Sequence, residues 1–231
     1  NHLRLVKNES PLARGAEPVR QHESGPARFL IRQPVIGANQ RLAGYELKLR
    51  DSVPVPVVAG AANLQQMRDE MLLTCALNSD LRQVAGDNLL LFLSLGAETL
   101  YSPFMEFLPK ANVVVATAGP GLAGNEMKVR LGELGRIGVR LALDDPDTDL
   151  AHKLPPALCR YARIDSRKHD LSSLARYVDT LRTMYPLAKL IATHVDTDEM
   201  RECCGRLGID YFQGQYFTEL RPNTESKLDG N

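Results

Sequence analysis

The sequence has no excess of charge of either sign: 28 basic residues face 28 acidic ones across 231 positions. A basic surplus is the electrostatic footprint of a nucleic-acid or anionic-membrane binder, and its absence argues against both partners. No apolar run approaches the roughly 18 residues needed to span a bilayer, and the N-terminus lacks the charged-then-apolar layout of a secretory signal. Cysteine is sparse. Cys75, Cys159, Cys203 and Cys204 show neither the paired CxxC spacing of a zinc site nor the density of a disulfide scaffold. They read as small buried hydrophobes, the adjacent Cys203 and Cys204 included, in a reduced, cytoplasmic protein. The sequence begins at Asn1 rather than Met, which suggests a piece of a longer chain.

What is present divides into three parts. Residues 1–27 are polar and punctuated by Gly15, Pro18, Gly25 and Pro26, and read as a flexible leader; residues 28–220 carry sustained apolar patterning; residues 221–231 form a polar tail. The patterned region opens with two strand-like stretches, 28–36 and 41–50, separated by Gly37, Ala38 and Asn39. They read as a hairpin carrying Gln33, Glu46 and Arg50. Leu64, Met67, Met71, Leu72 and Cys75 then recur at helical spacing, and a continuous apolar run follows at 89–95. Further strand-like runs at 113–115, 139–143, 161–164, 190–192 and 211–212 alternate with helical patterns at 98–108, 126–134, 171–184 and 197–207.

Near-continuous apolar strands alternating with helices imply parallel strands with helices packed outside them. An open doubly wound sheet and a closed barrel both satisfy that pattern. About eight strand candidates and the lack of a GxGxxG loop after the first strand favour the barrel. In such a barrel, functional side chains gather at the C-terminal ends of the strands.

Four such ends carry chemistry. Asp144 and Asp145 follow the run at 139–143 and suit either a divalent cation, which takes oxygen ligands, or a turn before Pro146. Arg163 and Asp165, two apart on a strand, point to one side and can equally form a structural ion pair. His194 stands at the end of the next strand, without a paired ligand. Gln213 and Gly214 close the last one.

Taken in order, these stretches resemble the EAL domains of bacterial cyclic-di-GMP phosphodiesterases. The segment Gly44, Tyr45, Glu46, Leu47, Lys48, Leu49, Arg50 resembles the surroundings of the signature Glu-Ala-Leu. Leu141 to Asp145 resembles the Ala-Leu-Asp-Asp segment, Arg163 to Asp165 the Lys-x-Asp, and Leu207 to Gly214 the closing Leu-Gly-x-Asp-x-x-Gln-Gly. The resemblance implies an α/β fold, a modified (β/α)8 barrel whose first strand runs antiparallel to the others. It also implies hydrolysis of cyclic di-GMP to linear pGpG by two Mg²⁺ or Mn²⁺ ions, which generate a hydroxide and stabilise the charge gathering on phosphorus.

The sequence departs from the family where that chemistry is concentrated. Glu46, Asp144 and Asp145 match metal-binding positions, but the ligand asparagine falls on Ser94, the ligand glutamate after the fourth strand on Ala116, and a nearby glutamate on Gly119. The catalytic lysine becomes Arg163, which does not shed its proton. The Ala-Glu-Gly-Val-Glu segment becomes Ala192, Thr193, His194, Val195, Asp196, the Phe-Gly after the aspartate pair becomes Pro146 and Asp147, and Leu220 replaces a proline near the end. On the resemblance, Glu46, Asp144, Asp145, Arg163 and Asp165 are vestiges of a catalytic site. Gln33, Arg50 and Gln213 match or lie near nucleotide-contacting positions.

The expectation is therefore a non-catalytic module working through a regulatory protein partner, with metal-independent cyclic-di-GMP sensing left open and a homodimer compatible with the family. No cofactor is expected. The competing expectation is a weak phosphodiesterase holding Mg²⁺ or Mn²⁺ on Glu46, Asp144 and Asp145.

Overall fold

A computed structural model describes residues 29–51, 61–81, 88–118, 122, 124–147 and 154–218. The leader at 1–27, the tail at 221–231, Gly119 and Leu220 lie outside the described residues.

Among the described residues eight strands close into a barrel in chain order: β1 (Leu30–Gly37), β2 (Leu42–Leu49), β3 (Leu90–Ser94), β4 (Val113–Thr117), β5 (Arg140–Asp144), β6 (Cys159–Asp165), β7 (Lys189–Thr193) and β8 (Tyr211–Phe212). β1 runs antiparallel to both β2 and β8, while every other neighbouring pair is parallel. A two-strand hairpin can close in a few residues, whereas parallel neighbours need a crossover. The short link between β1 and β2, in which Asn39 Oδ1 accepts from the Arg41 N–H at 3.1 Å, is therefore what fixes the reversed first strand.

The crossovers carry α1 (Ala61–Leu77), α2 (Asn125–Arg136), α3 (Leu171–Met184) and α4 (Asp198–Arg206), and a short α5 (Gln215–Thr218) follows β8. Local chemistry sets two of the helix starts. Asp170 caps α3 by accepting from the Ser173 N–H at 2.7 Å, and Thr197 caps α4 by accepting from the Met200 N–H at 3.2 Å. The helical reading of 98–108 needs correction: the chain makes two 3₁₀ turns there, Ala97–Tyr101 and Pro103–Phe107. Pro103 supplies no N–H and pushes the preceding residue out of helical space; Ser102 accordingly sits at φ −59°, ψ 134°, with its Oγ accepting from the Phe104 N–H.

The apolar core has two shells. The larger lies between sheet and helices and includes Leu73 of α1, Leu131 of α2, Val178 of α3 and Cys204 of α4; all four cysteines are buried and free. The smaller plugs the barrel interior with Val35, Phe92, Val114, Ala116, Ala142, Tyr161 and Ile191. Within it Phe92 meets Tyr161 edge-to-face at 5.5 Å between centroids, the favoured arrangement for aromatic pairs. Closure also depends on Gly44, where an added Cβ would lie 2.2 Å from the Leu90 carbonyl oxygen on β3.

Candidate site at the mouth of the barrel

The strands deliver polar side chains to one end of the barrel, above the apolar plug. Glu46 of β2 lies deepest and is 2% exposed. Its Oε1 accepts from Ser94 Oγ at 2.6 Å and from Arg163 Nη2 at 3.0 Å, and Oε2 accepts from Gln213 Nε2 at 2.5 Å and lies 3.1 Å from Lys48 Nζ. Burial by itself would raise the carboxyl's pKa. The charges of Arg163 and Lys48 and the hydrogen bonds from Ser94 and Gln213 outweigh it and bring the group down to about 2.

Arg163 occupies the centre. Besides Glu46, its Nη1 donates to Ser94 Oγ at 2.7 Å and its Nε lies 3.3 Å from Asp144 Oδ1. The latter contact is an ion pair without hydrogen-bond alignment, since the buried Oδ1 of Asp144 has no hydrogen-bond donor among the described residues. Asp144 is pushed above the ordinary carboxylate range. Burial is the main cause, Arg163 opposes it, and the nearby Glu46 and Asp145 carboxylates add to it. The same-side spacing of Arg163 and Asp165 left open an ion pair between them. The structure separates the two: Arg163 turns inward, while Asp165 takes Arg167 through both oxygens, at 3.0 and 2.7 Å, and holds the 3₁₀ turn Ser166–Lys168.

Asp145 ties β5 to β6. Its N–H donates to the Arg163 carbonyl at 2.8 Å, its Oδ1 accepts from the Asp165 N–H at 2.6 Å, and its Oδ2 meets Lys168 Nζ at 2.5 Å. This arrangement places Asp145 at φ 40°, a backbone region that costs a non-glycine residue energy and needs such contacts to persist. His194, at φ 57° and 44% exposed, puts Nδ1 3.2 Å from both Asp165 Oδ1 and Thr193 Oγ1. Thr117 at the end of β4 is buried with its Oγ1 unpartnered among the described residues, and Ala116 beside it belongs to the apolar plug.

The structure thus brings Glu46, Asp144, Asp145, Arg163 and Asp165 to one mouth. Gln33 joins them opposite Glu46 in the β1–β2 register, its Oε1 accepting from Lys48 Nζ at 2.8 Å. Arg50 stands exposed just past the end of β2, its N–H bonded to the Phe29 carbonyl. Gln213 is 3% exposed, with its amide given to Glu46. Three cations escaped the sequence reading: Lys48, Arg167 and Lys168. Together with Arg163 they pair the four carboxylates Glu46, Asp144, Asp145 and Asp165.

No protein-family model matches the chain, and no curated protein matches it in sequence. Solved structures do match. The chain superposes on the PaMucR phosphodiesterase in complex with c-di-GMP at a TM-score of 0.64 and 19% identity, covering 82% of this chain and 90% of that one. The fold is that of the EAL domains. The FimX EAL domain from Pseudomonas aeruginosa, bound to c-di-GMP, gives a TM-score of 0.60 at 15% identity over 81% and 88% of the two chains. The EAL enzyme Bd1971, in a form bound to cAMP and cyclic di-GMP, gives 0.65 at 17% identity, over 82% of this chain and 61% of that longer one. In this EAL-type barrel, the reversed β1 stands as the sequence motifs imply. No described helix is long and apolar enough to cross a membrane.

Proposed function

We propose that this chain is a catalytically silent EAL-fold module that acts by contact with a regulatory protein. The observation that carries the reading is the position of Arg163 between Glu46 and Asp144, where its guanidinium supplies the positive charge the two carboxylates need. Two-ion hydrolysis requires several oxygen ligands free to converge on each ion. Both oxygens of Glu46, Asp145 and Asp165 are engaged by donors of the chain itself, and the described residues contain no group of three or more His, Cys, Asp or Glu able to hold a metal. The residues present do not fit a pair of divalent cations. An ion entering here would have to displace a guanidinium that is itself largely buried and would then lack a counter-charge. Arg163 also cannot exchange a proton at neutral pH as a lysine can.

Cyclic di-GMP as a metal-free ligand is a second reading, favoured by Gln33 and Arg50 at the mouth and by fold neighbours solved with that nucleotide. An arginine fork can clamp a phosphate without metal. Two measurements test these readings. Prolonged incubation of cyclic di-GMP with stoichiometric protein and excess Mn²⁺, followed by chromatography, yields no linear pGpG if the module is silent; accumulation of product would end that reading. Calorimetric titration with the nucleotide in EDTA then separates the two: submicromolar binding establishes the sensor, and a flat trace leaves protein contact alone.

A further inference from the structure

The opposite end of the barrel, where the parallel strands begin, holds a cleft of about 690 Å³ lined by Arg136, Arg140, Arg160 and Lys189, with no acidic residue among the described residues of its wall. Arg140 and Lys189 are the first residues of β5 and β7, and Arg160 is the second residue of β6, between them. Arg160 is aimed by a local irregularity. Leu141 pairs with Cys159 and Ala142 with Tyr161, so Arg160 has no partner on β5 and forms the extra residue of a bulge. Bulges re-aim side chains, and this one sends Arg160 outward to the rim while Cys159 and Tyr161 on either side stay buried.

The cations differ in what they already hold. Lys189 pairs with Asp210 at 2.8 Å, and Arg140 stands beside the Tyr161 phenol. Arg136 and Arg160 are exposed and make no ion pair among the described residues. The floor and rim are partly apolar: Leu158 and Val139 line the cleft, and Leu187 is 79% exposed at its edge.

We propose that this cleft is the docking site for an acidic, extended segment of a partner protein that carries apolar side chains between its carboxylates. Charge complementarity selects the sign, and the planar forks of three arginines suit carboxylates. The span admits an extended segment. Neighbouring strands lie about 4.8 Å apart, so the cations on β5, β6 and β7 spread over about 10 Å, within which a strand rising about 3.3 Å per residue sets two carboxylates at alternate positions, about 7 Å apart. The exposed Leu187, with Leu158 and Val139, gives the intervening apolar side chains a surface to cover. The site lies at the far end of the barrel from Glu46 and Arg163, so its occupation is independent of the reading made there.

The test uses the whole chain and a fluorescein-labelled synthetic peptide alternating glutamate with leucine, read by fluorescence anisotropy. Saturable binding that weakens as salt rises is expected, with at least about a tenfold loss in the Arg136→Glu/Arg160→Glu double variant. Both positions are exposed, and an unchanged melting curve establishes that the variant is folded. Leu187→Ser separates peptide docking from bare charge attraction without adding charge, because only docking requires the apolar edge and loses affinity there. Absence of saturable binding, equal binding of a lysine-leucine peptide, or indifference to both sets of substitutions would overturn the proposal. So would tight binding of inorganic tripolyphosphate without the peptide, which would make the cleft a phosphate site.

Discussion

Arg163 on β6 reaches across the barrel mouth to Glu46 on β2, setting Nη2 3.0 Å from Oε1 of a carboxylate that is 2% exposed. Two residues 117 positions apart are joined in this way. The pair matters less for the attraction it supplies than for what its removal would expose. Breaking a buried ion pair from one side leaves the other charge without compensation, at a cost of about 3–5 kcal/mol. Lys48, Ser94 and Gln213 still touch Glu46, so Arg163→Ala should fall at the lower end, about 3 kcal/mol by urea denaturation. Arg163→Lys should recover part of that loss, since it restores the charge but not the fork. A loss under about 0.5 kcal/mol, the range of ordinary surface substitutions, would show that the guanidinium is not the counter-charge of Glu46.

The depressed Glu46 carboxyl makes stability depend on acid in a fixed window. Its ordinary pKa is 4.5 and its folded value about 2. A group whose folded pKa is lowered contributes stability that is fully present above the unfolded value and is lost as pH falls toward the folded one. The shift corresponds to about 3 kcal/mol. Wild-type protein should therefore lose stability between pH 4.5 and about 2 more steeply than Glu46→Gln, even though the variant is the weaker of the two at neutral pH. Chemical denaturation across that range checks it, and parallel curves would refute it.

Asp144 carries the opposite sign. Burial raises its pKa, so its ionised form opposes folding at neutral pH and the opposition fades on acidification. Asp144→Asn keeps the shape and removes the charge. Its stability at pH 7 should equal or exceed wild type, with any advantage shrinking as pH falls. The contrast with Glu46→Gln is the informative part: two carboxylates touching the same guanidinium respond to neutralisation in opposite directions. A large loss in Asp144→Asn would mean that the 3.3 Å contact to Arg163 outweighs burial.

The barrel was legible because strand and helix periods alternate cleanly. The strand-like runs at 211–212 and 113–115 fall on β8 and inside β4, and the helical pattern at 171–184 coincides with α3. The 98–108 stretch misled because its apolar spacing is helical while Pro103 interrupts the backbone within it. At the mouth, the convergence of Glu46, Asp144 and Arg163 became visible only through ordered motifs, because they come from three separate strands. Lys48 could have been found directly, since it stands two residues from Glu46 and so on the same face of β2. Lys168 could not, because its approach to Asp145 depends on the 3₁₀ turn after β6. Arg160 was hidden for a similar reason: nothing in the local pattern announces a bulge.

Gly44 is a test of the backbone rather than of charge. An added Cβ there would lie 2.2 Å from the Leu90 carbonyl oxygen, 2.9 Å from its carbonyl carbon and 2.9 Å from its Cβ, and backbone atoms cannot step aside as a flexible side chain can. β2 and β3 would have to separate at the strand that carries Glu46. Overpacking typically costs about 1–3 kcal/mol, and a clash with backbone belongs at the upper end. Gly44→Ala should therefore unfold at clearly lower denaturant than wild type. Gly132→Ala, inside α2 with nothing within 4 Å of the new Cβ, is the control and should hold or raise stability, since alanine favours a helix over glycine.

Divalent cations give the sharpest thermal test of the mouth. A ligand present at a hundred times its dissociation constant stabilises the folded state by about 2.7 kcal/mol, and a domain of this size moves by about 2–4 °C per kcal/mol. A working ion site held at millimolar Mn²⁺ or Mg²⁺ would thus raise the melting temperature by roughly 5–10 °C, well beyond measurement error. With both oxygens of Glu46 accepting from the chain and Arg163 between Glu46 and Asp144, the expected shift is below about 1 °C, an affinity no tighter than millimolar. Asp144→Asn and Glu46→Gln should respond to the ions no differently from wild type. A shift of several degrees, abolished in either variant, would establish that the carboxylates release Arg163 for metal.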